Sequence, residues 1–367
     1  MSDTMSDTTA DTTSGTTASA RTMQAYRLTG WGGPARLVEV PVPAPGPGQV
    51  LVQVAGCGLC HSDLGMMEMP AAFGEPLGWS MPFTLGHETA GRVAAVGRGT
   101  VLEVGEGDAV ALAAAASCGR CRYCIAGRDN ICPDALAGRG YGRDGGLAEY
   151  VLVEDPRDLV PLGDLDPTTA GPLTDAGATS YHAVRRVHSR LLPGATAVVF
   201  GAGGLGTFAV QFLARLGAAR VVAVDVSPER RERAAALGAD EAVEGVDAST
   251  VERLRTVAGG GVDVVLDFVG TDDTIAAALG ALAPGGALGV VGAAGGGFGG
   301  SWFGGLPRDG EVFTFQGSDL SDTRAVVALA RAGMVVNPTE TFALADVAQA
   351  YRRHREGTLG GRAVVVP

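Results

Sequence analysis

The sequence has no lysine: all 28 basic residues among its 367 residues are arginines. Schiff-base catalysis and a phosphate-binding loop that ends in lysine are therefore excluded. Positive charge is scarce overall, because acidic residues outnumber arginines and the net charge is -12. Nucleic acids and anionic membranes both require clustered positive charge, so we expect neither as a partner.

Long apolar runs are absent as well. None approaches the roughly 18 residues of a membrane helix. The first twenty residues are rich in Ser, Thr and Asp, and they lack the basic start and apolar centre of a secretory signal. We therefore expect residues 1–22 to form a disordered tail, the fold to begin near Met23, and the protein to be cytoplasmic. The length suits two domains.

The two halves of the chain differ in their residue patterns. Residues 24–158 consist of short strands and turns, which predicts a β-rich domain. From about Thr179, short β-branched strands alternate with helical segments, which predicts a parallel sheet covered on both faces. The tail after Ser321 holds two amphipathic segments and a last strand, and composition does not indicate which half it joins. The predicted parallel strands are residues 196–200, 220–225, 262–267 and 287–292.

A glycine-rich turn follows the first of these strands. It has the form G-x-G-x-x-G over residues 201–206, and the next strand ends in an acid about twenty residues later. This is the pattern of a dinucleotide-binding turn, in which a pyrophosphate lies at a helix N-terminus and the acid binds the ribose. An ordinary glycine-rich turn is the alternative. We expect the coenzyme to contact Gly201, Gly203, Gly204, Leu205, Gly206, Asp225, Arg230 and Val291.

The acid at the end of the second strand, Asp225, also predicts which coenzyme is used. A carboxylate there repels a 2′-phosphate, so NAD is favoured over NADP. Arg230 or Arg231 could weaken that preference, although contact with the adenosine ribose is the more usual role of such a residue.

Four of the six cysteines crowd into one short segment: Cys118, Cys121, Cys124 and Cys132. Four thiolates on a short loop can complete a tetrahedral shell without an open position, which predicts a structural zinc site. An iron–sulfur cluster or chance clustering are the alternatives.

A second metal signal is dispersed along the chain. Cys60 supplies a thiolate with the hydroxyl of Ser62 two residues later, and His87 supplies an imidazole next to Glu88. Each of these residues alone is weak evidence, because a lone Cys or His is more often part of the core or surface.

Taken together and in this order, these motifs resemble the zinc-containing medium-chain alcohol dehydrogenases. The resemblance runs from about Met23 to the C-terminus, and it is closest to the bacterial NAD-dependent secondary alcohol dehydrogenases through residues 172–177 and 330–333. It implies a two-domain α/β protein. A GroES-like β-barrel would span residues 23–176 and be completed by 318–367, and a Rossmann domain with a doubly wound parallel sheet would span 177–317.

The resemblance also assigns the dispersed residues. Cys60, His87 and Asp175 become the ligands of a catalytic zinc, so that each chain would hold two zinc ions. Many relatives have a cysteine where this sequence has Asp175. Because both groups are anionic, the site stays formally neutral.

Three further residues receive catalytic roles from the resemblance. Ser62 would take the proton of the alcohol, Asp63 would orient the ligating imidazole, and Glu88 matches an acid that can approach the metal. Ordinary buried ion pairing is the alternative for Asp63 and Glu88. Some relatives end the proton relay on a histidine where this chain has Gly65. His61, by position, faces the coenzyme phosphates.

The segment between Ser62 and His87 should line the substrate pocket. Gly65 leaves space beside the metal. An apolar wall would be formed by Met66, Met69 and Trp79, and additions from the coenzyme side would come from Trp302, Phe303 and Phe315. These residues could equally be ordinary core. The segment has no basic residue, which favours an uncharged, apolar, secondary alcohol.

We therefore predict reversible oxidation of such an alcohol with NAD. The alternatives are a polyol or amino-alcohol dehydrogenase with the same zinc, or a non-catalytic relative. Zinc-free quinone or enoyl reductases lack the ligands found here. Residues 311–315 form a strand with no obvious partner in the Rossmann half, which predicts a homodimer or homotetramer.

Overall fold

The computed structural model describes residues 21–114, 116–315 and 317–367. The predicted disordered tail thus lies almost wholly outside the described residues. The first strand begins at Thr22, directly before the predicted start of the fold.

The first half of the chain forms short, mostly antiparallel strands, as its texture predicts. Their bounds are β1 Thr22–Leu28, β2 Arg36–Pro41, β3 Val50–Gly58, β4 Phe83–Thr84, β5 Glu88–Val96, β6 Ala109–Leu112, β7 Gly138–Arg139, β8 Gly142–Arg143, β9 Tyr150–Val153 and β10 Leu159–Pro161. The remaining strands are β11 Thr196–Phe200, β12 Arg220–Asp225, β13 Glu241–Glu244, β14 Val262–Asp267, β15 Leu282–Val290, β16 Glu311–Thr314, β17 Thr339–Ala343 and β18 Arg362–Val366.

Helices are concentrated in the second half. They are α1 His61–Glu68, α2 Ala71–Gly74, α3 Arg122–Ile125, α4 Pro167–Ala170, α5 Ala176–Val187, α6 Gly206–Leu216, α7 Pro228–Leu237, α8 Thr250–Val257, α9 Asp272–Ala281, α10 Trp302–Gly305, α11 Leu320–Arg331 and α12 Val347–Glu356. Short 3-10 turns lie at Glu75–Leu77, Asp129–Ile131, Pro133–Leu136, Pro156–Asp158, Gly171–Leu173, His188–Arg190 and Leu344–Asp346.

The larger sheet of the first half has the order β10-β6-β5-β3-β18-β17, and β9 also pairs with β3. A smaller sheet, β2-β1-β4, lies beside it. The tail therefore joins the first half: β18 pairs antiparallel with the end of β3, and β17 pairs parallel with β18. The core between these layers is aliphatic and aromatic, with Leu28, Phe83 and Leu85 almost fully buried.

The second sheet has six parallel strands in the order β13-β12-β11-β14-β15-β16. In chain order this is 3-2-1-4-5-6, the order of dinucleotide-binding folds, and the chain reverses direction across the sheet between β11 and β14. All five residues of β11 are buried, as expected for a strand covered on both faces. The predicted two-domain α/β class is confirmed.

Local signals explain the helix boundaries here. Helix α7 has Pro228 at its start, and the Ser227 side chain accepts a hydrogen bond from the backbone of Arg230. It ends at Gly238, whose φ of 120° is easily adopted only by glycine.

One expectation about this sheet is wrong. The strand at residues 311–315 does have a partner, because β16 pairs parallel with β15 from Ala287 opposite Glu311 to Val290 opposite Thr314. The neighbouring strand is supplied by the apolar segment that precedes β16 in the chain, which forms β15. β16 is nevertheless the last strand of the sheet, so one side of it remains an edge.

Candidate active site and metal centres

The dispersed metal residues converge. Cys60 immediately precedes α1, His87 lies between β4 and β5, and Asp175 immediately precedes α5. Together with Glu88 they place one ligand atom each within 4.8 Å of one another. Cys60 Sγ lies 3.8 Å from Asp175 Oδ2, and His87 Nε2 lies 3.6 Å from the same oxygen.

These distances fit a tetrahedral zinc ion. With zinc bonds of about 2.3 Å to sulfur and about 2.1 Å to nitrogen or oxygen, a tetrahedron spaces sulfur and oxygen about 3.6 Å apart and nitrogen and oxygen about 3.4 Å apart. One thiolate, one carboxylate and one imidazole carry two negative charges, which a divalent ion balances. The three side chains therefore suit a catalytic zinc and leave a fourth position for another ligand.

The far side of the imidazole faces an acid. His87 Nδ1 lies 3.4 Å from Asp63 Oδ1, both side chains are fully buried, and the other oxygen of Asp63 accepts a hydrogen bond from the Cys60 backbone. Burial lowers the pKa of His87, but Tyr141 and Asp63 raise it by more, so that the pKa lies well above its ordinary value. Asp63 thus stands where an acid can orient a ligating histidine.

Glu88 is paired rather than free. Its carboxylate is bound by Arg362 from β18, with Arg362 Nε 3.1 Å from Oε2 and a second contact to Oε1. Burial raises the pKa of Glu88 to about 7, while Arg362 opposes the rise. Burial also opposes ionisation of Asp175, yet the adjacent His87 lowers the pKa of Asp175 to about 2. Arg362 balances the charge of Glu88. The negative charges of Cys60 and Asp175 therefore remain to be balanced by a metal ion.

The four-cysteine lobe is closed. The four sulfurs lie within 4.8 Å of one another, with Cys121 Sγ 3.6 Å from Cys124 Sγ and 3.9 Å from Cys132 Sγ. Sulfurs around a tetrahedral zinc are spaced about 3.8 Å apart when each zinc–sulfur bond is about 2.3 Å. All four cysteines are free thiols, Cys118 included. The lobe fits a structural zinc ion.

The glycine-rich turn lies between β11 and α6 as predicted. Gly201 has a φ of 83°, which a residue with a side chain rarely adopts. A Cβ at Gly206 would overlap the Gly201 carbonyl oxygen, whereas the nearest heavy atom to a Cβ at Gly203 is Arg230 Nη1 at 3.9 Å. The turn is therefore tight on the strand side and open at Gly203.

Asp225 ends β12 beside this turn. Its two oxygens accept hydrogen bonds from the backbone nitrogens of Ala202 and Ser227, both at 2.9 Å. Arg230 Nη1 lies 3.9 Å from Asp225, and Arg231 instead bonds the Asp225 backbone carbonyl. A cavity of about 90 Å³ adjoins the turn and is lined by Gly203, Gly204, Arg230, His354, Arg362 and neighbouring residues.

Comparison with known proteins agrees with this geometry. Residues 46–164 match the family Alcohol dehydrogenase GroES-like domain, and residues 204–332 match the family Zinc-binding dehydrogenase. An NAD-dependent alcohol dehydrogenase of Sulfurisphaera tokodaii is 36% identical over 94% of this chain and 100% of that protein. The chain belongs to the zinc-containing medium-chain alcohol dehydrogenase family. Zinc and NAD are the cofactors of the chain, as the zinc-binding dehydrogenase match and the NAD-dependent relative indicate.

Other members show the spread of the family. The D-arabinose 1-dehydrogenase (NADP(+)) of Saccharolobus solfataricus is 32% identical over 94% of this chain and 97% of that protein. The crystal structure of the alcohol dehydrogenase from Aeropyrum pernix has a TM-score of 0.86 and 32% identity, with 94% and 100% of the two chains covered. The acetophenone reductase of Geotrichum candidum, solved with NAD, has a TM-score of 0.82 and 27% identity, with 94% and 97% covered.

Two predicted pocket residues lie close to Ser62 and Tyr141: Gly65 is on the same helix as Ser62, and Trp79 is next to Tyr141. Gly65 is exposed on α1, and a Cβ added there would meet no heavy atom within 4 Å. Trp79 is buried, donates from Nε1 to the Leu136 carbonyl, and packs 5.9 Å from the ring of Tyr141. Met66 is also buried.

The structure shows other neighbours for the aromatic residues predicted on the coenzyme side of the pocket. Phe315 packs against the His182 ring, 4.9 Å away, and against Phe313. Trp302 and Phe303 are 75% and 80% exposed. Those assignments stay predictions without a supporting contact. His182 itself is buried and bonds Asp322 of α11 at 2.7 Å.

Sequence reasoning missed two residues of the site. They are Arg362, the first residue of the last predicted strand, and Tyr141, to which the sequence analysis assigns no role. Tyr141 Oη lies 2.9 Å from Ser62 Oγ and 3.2 Å from His87 Nε2. Burial raises the pKa of Tyr141 above its ordinary value. No signal in the single sequence marks either residue, because both are far along the chain from the ligands.

No described helix is long and apolar enough to cross a membrane.

Proposed function

We propose that the protein oxidises an uncharged, apolar secondary alcohol to its ketone, reversibly, with transfer of hydride to NAD. That it is a zinc- and NAD-dependent alcohol oxidoreductase follows from its family and its relatives. The finer statement, the class of alcohol, rests on the residues around the catalytic ligands.

One observation carries the proposal: the third ligand and the coenzyme turn are linked through α5. Asp175 immediately precedes this helix, and Ser180 within it donates a hydrogen bond of 2.8 Å to the Leu205 carbonyl of the glycine-rich turn. One helix thereby connects the residues that would hold the zinc and the alcohol to the turn that would hold the coenzyme pyrophosphate. Such positioning is what hydride transfer requires.

Cys60, His87 and Asp175 would hold the catalytic zinc, which when bound supplies a Lewis acid that lowers the pKa of an alcohol hydroxyl. Asp63 holds the imidazole in orientation from the opposite side. Ser62 accepts the proton that the alcohol loses and passes it toward solvent, because Gly65 offers no side chain to continue the relay. The four-cysteine lobe would hold the second zinc ion, in a structural role.

The surroundings of the ligands favour an apolar substrate. Met66 on α1 and Trp79 are both buried, and residues 62–87 contain no arginine. A carboxylate or phosphate on the substrate would find no cation in this segment, and Arg362 is already paired with Glu88. The likeness to an acetophenone reductase supports a ketone of some bulk. The likeness to a D-arabinose 1-dehydrogenase favours the second candidate, a polyol or sugar substrate.

We propose NAD over NADP as the coenzyme. Asp225 is buried at the end of β12 with both oxygens held by backbone donors, so its charge is fixed beside the ribose position. A 2′-phosphate there would meet like charge at short range.

The proposal also covers the domain boundaries, the oligomeric state and the cellular location. We divide the chain into residues 23–176 with 318–367, and 177–317, because β17 and β18 join the first sheet. A homodimer or homotetramer would cover the free edge of β16, and a monomeric mass by light scattering at micromolar concentration would refute it. A cytoplasmic location suits six unpaired thiols.

The function is tested by a substrate screen. Primary alcohols, secondary alcohols and polyols of matched size are offered with NAD, and NADH absorbance is followed. The highest kcat/KM should belong to apolar secondary alcohols. A preference for polyols would select the second candidate, and activity on none of them would contradict the proposal.

A further inference from the structure

The hydroxyl of Tyr141 bridges two residues of the site to which the reaction gives different tasks. It lies 2.9 Å from the Oγ of Ser62, the proposed proton acceptor, and 3.2 Å from the Nε2 of His87, a proposed zinc ligand. The two rings of Tyr141 and His87 lie 4.5 Å apart. Tyr141 thus contacts both the proton acceptor and the ligand set.

The position of this hydroxyl is fixed by its backbone. Tyr141 lies in a tight turn in which its N–H bonds the Gly138 carbonyl at 2.9 Å and its carbonyl accepts from the Gly138 N–H at 2.8 Å. A Cβ at Gly140 would meet the Gly86 backbone, and a Cβ at Gly142 would meet Trp79. Close contact on both sides leaves the turn little freedom, so the Tyr141 ring is held in place.

Only one of the two hydrogen bonds is compatible with a bound metal. A histidine nitrogen that ligates a metal has committed its lone pair, so His87 Nε2 can then neither accept nor donate. Tyrosine is protonated at neutral pH, because its ordinary pKa is about 10. Of its two neighbours, only Ser62 Oγ can then accept the hydrogen of the Tyr141 hydroxyl.

That hydrogen bond selects one arrangement of the serine. A serine oxygen has one hydrogen and two lone pairs, and its side chain can rotate among three staggered positions. With one lone pair engaged by Tyr141, the other is free for the alcohol hydroxyl, and the serine hydrogen is free to pass on. We propose that Tyr141 is a positioning residue that holds Ser62 in the orientation that accepts the substrate proton. This inference rests on the proposed function, in which Ser62 is that acceptor.

The test is a double-mutant cycle with Tyr141→Phe and Ser62→Ala. The measured quantity is the rate of NADH formation in a single turnover, with KM for the alcohol measured separately. Loss of general-base catalysis typically costs about 100-fold or more, so we expect Ser62→Ala to slow the turnover about 100-fold. Tyr141→Phe should slow it about tenfold with KM unchanged within about twofold, and the double variant should be no slower than Ser62→Ala alone.

Two further measurements separate positioning from structure. Zinc content and the affinity for NADH, measured by fluorescence titration, should be unchanged in Tyr141→Phe. Tyr181→Phe is the matched control: this tyrosine lies on α5 and packs edge-on against Phe212, so its variant should match the wild type in every measurement.

Each other outcome overturns the inference. An unchanged turnover in Tyr141→Phe, a raised KM alone, or effects that multiply in the double variant would show that Tyr141 does not act through Ser62. Loss of zinc or of NADH binding in Tyr141→Phe would assign the tyrosine to holding the fold of the site. If Ser62→Ala itself keeps the wild-type rate, the proposed role of Ser62 fails and the inference fails with it. If only Tyr141→Phe is without effect, the proposed function stands.

Discussion

Two glycines of the coenzyme turn should respond in opposite ways to the same added methyl group. At Gly206 the methyl would overlap the carbonyl oxygen of Gly201, so strand and helix must move apart. At Gly203 the nearest heavy atom would be Arg230 Nη1 at 3.9 Å, an ordinary contact distance. Gly206→Ala therefore changes the folded protein itself, whereas Gly203→Ala changes only the space offered to a ligand.

The expected magnitudes follow from these distances. Overpacking of a tight contact typically costs about 1–3 kcal/mol, so Gly206→Ala should lower the melting temperature of the coenzyme-free protein by roughly 2–10 °C. Gly203→Ala should leave that stability within about 0.5 kcal/mol of the wild type. It should weaken NADH binding at least tenfold, about 1.4 kcal/mol, because a pyrophosphate at the helix N-terminus needs the backbone at this point.

Thermal unfolding without coenzyme and fluorescence titration with NADH measure the two effects separately. Zinc content serves as a control and should stay at the wild-type value in both variants. Wild-type NADH affinity in Gly203→Ala would refute the placement of the pyrophosphate at this turn. An unchanged melting temperature in Gly206→Ala would refute the close contact between α6 and β11.

Three more predictions concern the metal, the coenzyme and the pocket. Cys60→Ser should lose about one of two zinc ions with the fold retained, by metal analysis and circular dichroism; loss of both ions or of neither contradicts the assignment of two separate sites. The wild type should have a higher kcat/KM with NAD than with NADP, and Asp225→Ser should reduce or reverse that preference. Asp225→Asn keeps the shape and one acceptor oxygen, so it isolates the effect of the charge. Equal use of NADP by the wild type would contradict the role of Asp225. Gly65→Phe should shift specificity from a large ketone toward a small one, since each buried methylene is worth about 0.8 kcal/mol, and an unchanged ratio removes Gly65 from the pocket.

The second sheet was the part most open to prediction from sequence. β11, β12 and β14 begin and end at the predicted residues, because a buried parallel strand is a continuous β-branched run. Helix α7 carries its own start and stop signals. β16 was mispredicted as a strand without a partner, since strand neighbours depend on the path of the chain between them. The strand propensity of a segment does not indicate which strands will lie beside it.

The candidate site divides in a similar way. The four cysteines of the lobe are close in sequence, so their spacing alone predicts a metal site. Cys60, His87 and Asp175 lie on separate elements, and only the resemblance to a family connects them. Tyr141 and Arg362 reach the site through long-range packing. Arg362 follows Glu88 by 274 positions, so residue type alone does not identify it as the arginine that neutralises Glu88.

The pairing of β18 with β3 has a consequence for how the protein is made. Val364 lies opposite Gly58, at the end of the strand that leads to Cys60. At a synthesis rate of about 5–20 residues per second, roughly 15–60 s separate the emergence of these two strands from the ribosome. During that interval the end of β3 exposes unpaired backbone groups, while the coenzyme sheet between them can already fold as a unit. A nascent chain that stalls or stops before β18 would thus carry a folded coenzyme sheet beside an unfinished first sheet, and would lack Arg362 at the cavity of the glycine-rich turn. The open edge of β3 is where its misassembly would begin.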